Sequence, residues 1–111
     1  MVETKHILIV EDEKVIRSAL RRLLERNQYN VEEAATLPDA LVQPLDQFDL
    51  IISDLRLPGG TGTEIIEKTT STPVLIMTSF ASLRSAVDAM KLGAVDYIAK
   101  PFDHDEMLLA V

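Results

Sequence analysis

The sequence predicts an α/β fold, an open doubly wound parallel sheet of five strands with helices on both faces. Three observations predict it. Short apolar runs of strand length alternate with segments of helical periodicity, β then α, five times along 111 residues. The runs HILIV (6–10), DLIISD (49–54) and PVLIM (73–77) lack polar alternation, as expected of strands buried on both faces. The connections are short and carry turn chemistry. Such a chain makes a flavodoxin-like sheet of order 2-1-3-4-5.

Each element has its own justification. HILIV is β-branched and apolar, hence the first strand. Ile16, Ala19, Leu20, Leu23 and Leu24 then recur at helical spacing, with Lys14, Arg17, Arg21, Arg22 and Glu25 expected to face away. Asn27 to Asn30 is a break, and YNVEEA (29–34) is a weaker second strand. Thr36 and Pro38 open a short helix that Pro44 is expected to end. DLIISD is the third strand and finishes in an acid. LPGGTG (57–62) is a turn, followed by a short helix from Glu64 to Thr69. PVLIM is the fourth strand. Leu83, Ala86, Val87 and Met90 mark an amphipathic helix closed by Gly93. AVDYIA (94–99) is the last strand, and Asp103 with Glu106 forms a capping box for a final helix. That helix stops at Val111 on an apolar end, so the expectation is one domain over 1–111 with its last helix truncated and any output domain absent. Met77 and Met90 are expected to be core filler. His6 and His104 have no metal-ligand spacing and are expected at the surface.

Composition narrows the function. Hydrophobic residues make up 47%, too many for a disordered chain. There is no cysteine, which removes disulfides, thiolate metal sites and a Cys nucleophile and fits a reducing, cytoplasmic setting. The apolar runs fall far short of the roughly 20 residues a membrane helix needs. A net charge of −7 makes the domain a poor ligand for nucleic acid and for anionic membranes.

The acids carry the chemistry. In this fold ligands bind beyond the carboxyl ends of the strands, at the switch point between strands 1 and 3. Glu11 and Asp12 follow strand 1 and Asp54 ends strand 3, so the topology gathers them at one crevice. Thr78 and Ser79 follow strand 4 and Lys100 follows strand 5, at the same edge. Helix capping is the plain alternative: Asp12 is a good N-cap, and Glu13 suits the first turn. Capping does not cover Asp54, which Leu-Arg-Leu-Pro follows. Two carboxylates ~5 Å apart repel by about 3 kcal/mol at an effective dielectric of about 20. A hard divalent cation relieves that repulsion, and an all-oxygen site without His or Cys suits Mg²⁺. Pro101 holds Lys100 extended, which aims its side chain toward the crevice. A lysine beside a divalent ion suits an added phosphate dianion. Asp54, central among these groups, is the best nucleophile, and Thr78 is placed to hydrogen-bond a phosphoryl oxygen.

These residues resemble the receiver domain of two-component response regulators over essentially the whole chain. The joint spacing of Glu11-Asp12, Asp54, Thr78 and Lys100-Pro101 carries the resemblance, with DLRLPGGTG (54–62) and GAVDYIAKPF (93–102). The resemblance implies that Asp54 accepts a phosphoryl group from a sensor histidine kinase, a phosphotransfer protein or a small phosphodonor. It implies Mg²⁺, with Mn²⁺ as a substitute, held by Asp12 directly, Glu11 through water, Asp54 and the backbone carbonyl of Arg56. Lys100 contacts the phosphoryl group and its bond to Pro101 is cis. Thr78 and Tyr97 form the switch, and the face of helix 4, strand 5 and helix 5 relays it to an output domain or a homodimer partner. From the residues alone, Tyr97 reads as a half-buried strand aromatic.

Departures from the commonest pattern also bear on function. Ser79 stands where many receivers carry Ala or Gly, which narrows the pocket mouth. Arg56 and Phe80 flank the acyl phosphate in the family, and their bulk implies a slow loss of phosphate. SFASLRSAVDAMKLGAVDYIAKPF (79–102) is similar to the receivers of enhancer-binding transcriptional activators. Three rivals compete. An Asp-nucleophile phosphohydrolase needs a second acid two residues after the nucleophile, where this chain has Arg56. A flavodoxin-type cofactor module needs Ser, Thr and Gly in its first loop, where this chain has Glu-Asp-Glu. A receiver that only docks or dimerises, independently of phosphorylation, is the remaining alternative.

Overall fold

A computed structural model describes residues 4–78, 83–100, 107–108 and 111, with the side chains of 83–85 outside the description. Expectations for Ser79, Phe80, the Lys100–Pro101 bond, the Asp103 and Glu106 capping box and His104 therefore lie outside the described residues.

Five parallel strands form the sheet: β1 (His6–Val10), β2 (Asn30–Ala34), β3 (Leu50–Asp54), β4 (Val74–Thr78) and β5 (Asp96–Ala99). Their order is β2-β1-β3-β4-β5, as the alternation of elements predicts. Helices α1 (Lys14–Arg26), α2 (Leu37–Leu41), α3 (Thr63–Lys68) and α4 (Leu83–Lys91) connect them. A short 3-10 turn at Leu45–Gln47 precedes β3. The strands bury both faces because alternate residues point oppositely. Leu8, Val10, Ile51, Val74 and Ile76 pack with Leu37, Ala40, Ile65 and Ala89 on the side of α2, α3 and α4. Ile7, Ile9, Ile52, Leu75, Met77 and Ile98 pack with Leu20, Leu23, Leu24 and Met107 on the side of α1.

Local chemistry sets the boundaries. Thr36 caps α2, its hydroxyl accepting from the Asp39 N–H at 3.1 Å. The helix ends at Leu41, before Pro44. Gly93 sits at φ 110°, the left-handed conformation that ends α4 at little steric cost. The turn after β3 is a small antiparallel hairpin, Arg56–Leu57 with Gly60–Thr61.

Several expectations for the helix faces are corrected. On α1, Leu20, Leu23 and Leu24 are buried, but Ala19 is exposed and Ile16 only half-buried. Arg17 and Arg21 do not simply face water: both reach across to Glu33 on β2. Among the described side chains of α4, Ala89 is buried and Ala86 half-buried, while Val87 and Met90 are 41% and 48% exposed. Met77 is core; Met90 is not.

Candidate functional site

The site lies at the carboxyl edge of the sheet. β1 runs through Val10 and delivers Glu11, whose N–H donates to the Ala34 carbonyl at 3.0 Å. Glu11 is fully buried, an unusual place for a carboxylate unless it is paired. Asp12 is exposed and precedes α1. The helix N-cap is Glu13, and its side chain makes no capping bond. Asp12 is thus not the cap, and capping explains neither acid. Asp54 closes β3 opposite Met77 of β4 and is buried. The following Leu55 N–H donates to the Met77 carbonyl at 2.9 Å, so pairing with β4 holds the backbone at Asp54. Carboxylate oxygens of Glu11, Asp12 and Asp54 lie within 4.8 Å of one another.

Lys100 closes the group from β5. Its Nζ donates to Glu11 Oε1 at 2.7 Å and to Asp54 Oδ2 at 3.0 Å. Its side chain is only 6% exposed. The backbone places it: Lys100 N–H donates to the Thr78 carbonyl at 2.8 Å, continuing the β4–β5 ladder past Ala99. Thr78 itself is fully buried at the end of β4.

Electrostatics follow from this burial. Desolvation, the largest effect, pushes the Glu11 carboxyl up to about 7; the neighbouring Asp54 carboxylate adds to the rise and Lys100 opposes it. Burial pulls Lys100 down, but its bonds to Glu11 and Asp54 together outweigh that, and the ammonium is held above its ordinary range. Glu11 Oε2 is buried with no hydrogen-bond partner among the described residues. A buried carboxylate oxygen left without a donor is satisfied by a proton or by a bound cation. Three oxygen donors, one exposed to solvent at Asp12, fit a hard divalent ion such as Mg²⁺ or Mn²⁺.

The structure thus brings together Glu11, Asp12, Asp54 and Lys100. Thr78 stands beside them on the sheet edge, joined to Lys100 through its carbonyl. Tyr97 is half-buried on β5 and packs against the core on the α2–α4 side. Its hydroxyl is buried without a partner among the described residues. Arg56 is exposed in the hairpin after Asp54.

Sequence reasoning missed two supports of the site. Arg17 donates to the Glu11 carbonyl at 2.8 Å while its Nε pairs with Glu33 at 2.9 Å. Gly62 packs so closely on Asp54 that a Cβ would sit 2.3 Å from the Asp54 carbonyl oxygen. Neither has a periodic signature. The glycine in the turn was visible, but its neighbour was not.

Comparison with known proteins places this edge in context. The response regulator receiver domain family matches residues 7–111. The transcriptional regulatory protein ResD of Bacillus subtilis is 39% identical over 98% of this chain and 47% of its own length. The transcriptional regulatory protein ZraR of Salmonella typhimurium is 40% identical over 91% of this chain and 24% of its own length. The chain therefore spans about half or less of these curated relatives. A receiver domain crystal structure from Methanospirillum hungatei superposes with a TM-score of 0.87 at 34% identity, covering 96% of this chain and 90% of that one. A response regulator from Burkholderia pseudomallei, solved with a phosphorylated aspartic acid, a calcium ion and citrate, gives 0.83 at 32% identity, covering 96% and 65%. Matched by the family model over residues 7–111 and 39% identical to ResD over nearly its whole length, the chain belongs to the response regulator receiver domain family.

Proposed function

We propose that this domain is a phosphorylation-dependent switch of a two-component system, with Asp54 as phosphoacceptor. One observation carries the reading: a buried ammonium, Lys100, bridges Glu11 Oε1 and Asp54 Oδ2 at 2.7 and 3.0 Å inside an acid cluster. The donor is a phosphohistidine on a sensor kinase or phosphotransfer protein, or a small acyl phosphate. An Asp54 carboxylate oxygen attacks phosphorus and a P–O bond forms. The P–N bond of phosphohistidine, or the P–O bond of acetyl phosphate, breaks, and its electron pair leaves with the departing group. The product gains about one negative charge at Asp54.

Glu11, Asp12, Asp54 and the Arg56 backbone carbonyl would hold Mg²⁺, or Mn²⁺ in its place. The ion, when bound, supplies positive charge that offsets the carboxylates and the phosphoryl oxygens. The calcium ion and phosphorylated aspartic acid of the Burkholderia neighbour support this reading by analogy. Lys100 turns from the two carboxylates toward the phosphoryl group, and Thr78 donates its hydroxyl to a phosphoryl oxygen. Thr78 and Tyr97 then pass the change to the face of α4 and β5. Val87, Met90 and Val95, 41%, 48% and 50% exposed, offer that face an apolar surface for an output domain or a second copy. Arg56, exposed in the hairpin after Asp54, slows hydrolysis of the acyl phosphate; the same expectation for Phe80 lies outside the described residues. The setting is the cytoplasm, and the output is transcriptional, as in ResD and ZraR.

The test is incubation with acetyl phosphate and Mg²⁺ followed by intact mass, with Asp54→Ala alongside. One added phosphoryl group that requires Mg²⁺ and vanishes in the variant is the expected result. No adduct, or one indifferent to the substitution, overturns the proposal.

A further inference from the structure

We infer that Arg17 is a positioning residue for the acid cluster, setting the peptide that joins Glu11 to Asp12. The Arg17 guanidinium is divided between two acceptors. Nη1 donates to the Glu11 carbonyl at 2.8 Å, and Nε pairs with Glu33 Oε1 at 2.9 Å. The arginine side chain is 18% exposed and that of Glu33 27%, so solvent screens this pair only in part. Arg21 takes the other oxygen of Glu33 and also donates to the Val31 carbonyl at 3.2 Å. Glu33 therefore anchors Arg17 to β2.

The consequence for the site is geometric. A peptide group is planar, so the Glu11 carbonyl and the Asp12 N–H turn together. The Glu11 N–H is already fixed to Ala34. Arg17 fixes the next peptide plane, and that plane sets the directions in which the Glu11 and Asp12 side chains leave the backbone. The two acids come just beyond the last residue of β1, Val10, where the ladder ends and the chain turns into α1. Without Arg17, the Glu11 carbonyl loses its charge-assisted bond and the plane can rotate. Mg²⁺ tolerates little error in the placement of its oxygen ligands, so this rotation weakens its binding.

This inference rests on the metal site proposed above, and it differs in sign from a simple charge effect. Arg17 is a cation near a cation site. If it acted by charge alone, its removal would tighten Mg²⁺. If it positions the ligands, its removal weakens Mg²⁺. The experiment is isothermal titration calorimetry of the unphosphorylated domain with Mg²⁺, on the wild type, Arg17→Met, Arg17→Lys and Arg22→Met. Arg17→Lys keeps the charge but cannot serve both acceptors as the arginine fork does. Arg22 is exposed and serves as the charge control. The expected result is a five- to twenty-fold rise (roughly 1–2 kcal/mol) in the Mg²⁺ dissociation constant for Arg17→Met, a smaller rise for Arg17→Lys, and a change within about twofold for Arg22→Met. Unchanged or tighter binding in both Arg17 variants overturns the inference. If Arg17→Met does not fold, Arg17→Lys decides alone. Because binding is read without phosphorylation, a wild type that binds Mg²⁺ but forms no adduct would sink the phosphoacceptor reading and leave this test intact. A wild type that binds no Mg²⁺ would overturn both the metal site and this inference.

Discussion

Lys100 faces two carboxylates inside the protein, and its removal would leave them facing each other. Its Nζ lies 2.7 Å from Glu11 and 3.0 Å from Asp54. Removing one partner of a buried pair costs far more than an exposed pair is worth, roughly 3 kcal/mol or more. Lys100→Met is therefore expected to lower stability without Mg²⁺ by roughly 3 kcal/mol at about pH 8. The loss should shrink at about pH 5, where Glu11 holds a proton and the charges no longer oppose each other. Urea denaturation at the two pH values checks this. An equal loss at both would mean that Lys100 acts through the packing of its stem. The same substitution removes a cation that competes for the acids, so Mg²⁺ should bind more tightly to the variant.

At the scale of elements, the hairpin after β3 is fitted to the site by one glycine. The N–H of Gly62 donates to the Leu55 carbonyl at 2.8 Å. A Cβ there would lie 2.3 Å from the Asp54 carbonyl oxygen and 2.7 Å from Ser53 Oγ. Its φ of −62° is ordinary, so the requirement is space rather than backbone freedom. Gly62→Ala is expected to cost roughly 1–3 kcal/mol in urea unfolding and to slow reaction with acetyl phosphate, since the hairpin must shift from Asp54. Gly93→Ala, at φ 110° and far along the chain, should lower stability by about 1–2 kcal/mol while leaving that rate unchanged. A Gly62→Ala protein with wild-type stability and rate would show that the hairpin adjusts without strain. This element also marks where the sequence stops being legible. The apolar runs gave the five strands, and topology then placed Glu11, Asp12, Asp54 and Lys100 at one edge, because side chains at strand ends have nowhere else to go. Contacts between elements carry no such period. Arg17 and Glu33 are 16 residues apart on different elements, so helical spacing marked Arg17 as solvent-facing. Likewise, the α4 pattern placed Met90 in the core because periodicity identifies an apolar stripe but not how far the sheet covers it. The hairpin and the Gly62 contact depend on how β3 meets the next loop, which turn chemistry alone does not determine.

At the scale of the whole molecule, the acid cluster exists only in the folded state, because Glu11 and Lys100 are 89 residues apart in the chain. Its proton chemistry is therefore a stability term. The Glu11 carboxyl rises from 4.5 to about 7 on folding, so the folded state holds that proton more tightly than the unfolded chain does. Below about pH 4.5 both states are protonated and the contribution is fully present. Between there and about 7 the unfolded chain gives up its proton while the folded protein keeps it, and stability falls. Above about 7 the loss is complete, with an upper size of roughly 3 kcal/mol. Mg²⁺ bound at the proposed site would act in the opposite direction, since it would favour the ionised carboxylate and the cluster exists only in the folded state. The expected outcome is a urea midpoint that declines from about pH 5 to about pH 8 without Mg²⁺, and a stabilisation by saturating Mg²⁺ that is larger at the higher pH. Glu11→Gln keeps an acceptor for Lys100 but has no proton to lose. It should flatten the decline and bind Mg²⁺ more weakly. A wild-type midpoint that instead rose across the same range, to the same degree in Glu11→Gln, would mean that Glu11 is ionised throughout. Lys100 would then outweigh desolvation in the apo protein, and Mg²⁺ would have to displace a fully formed ion pair rather than a proton.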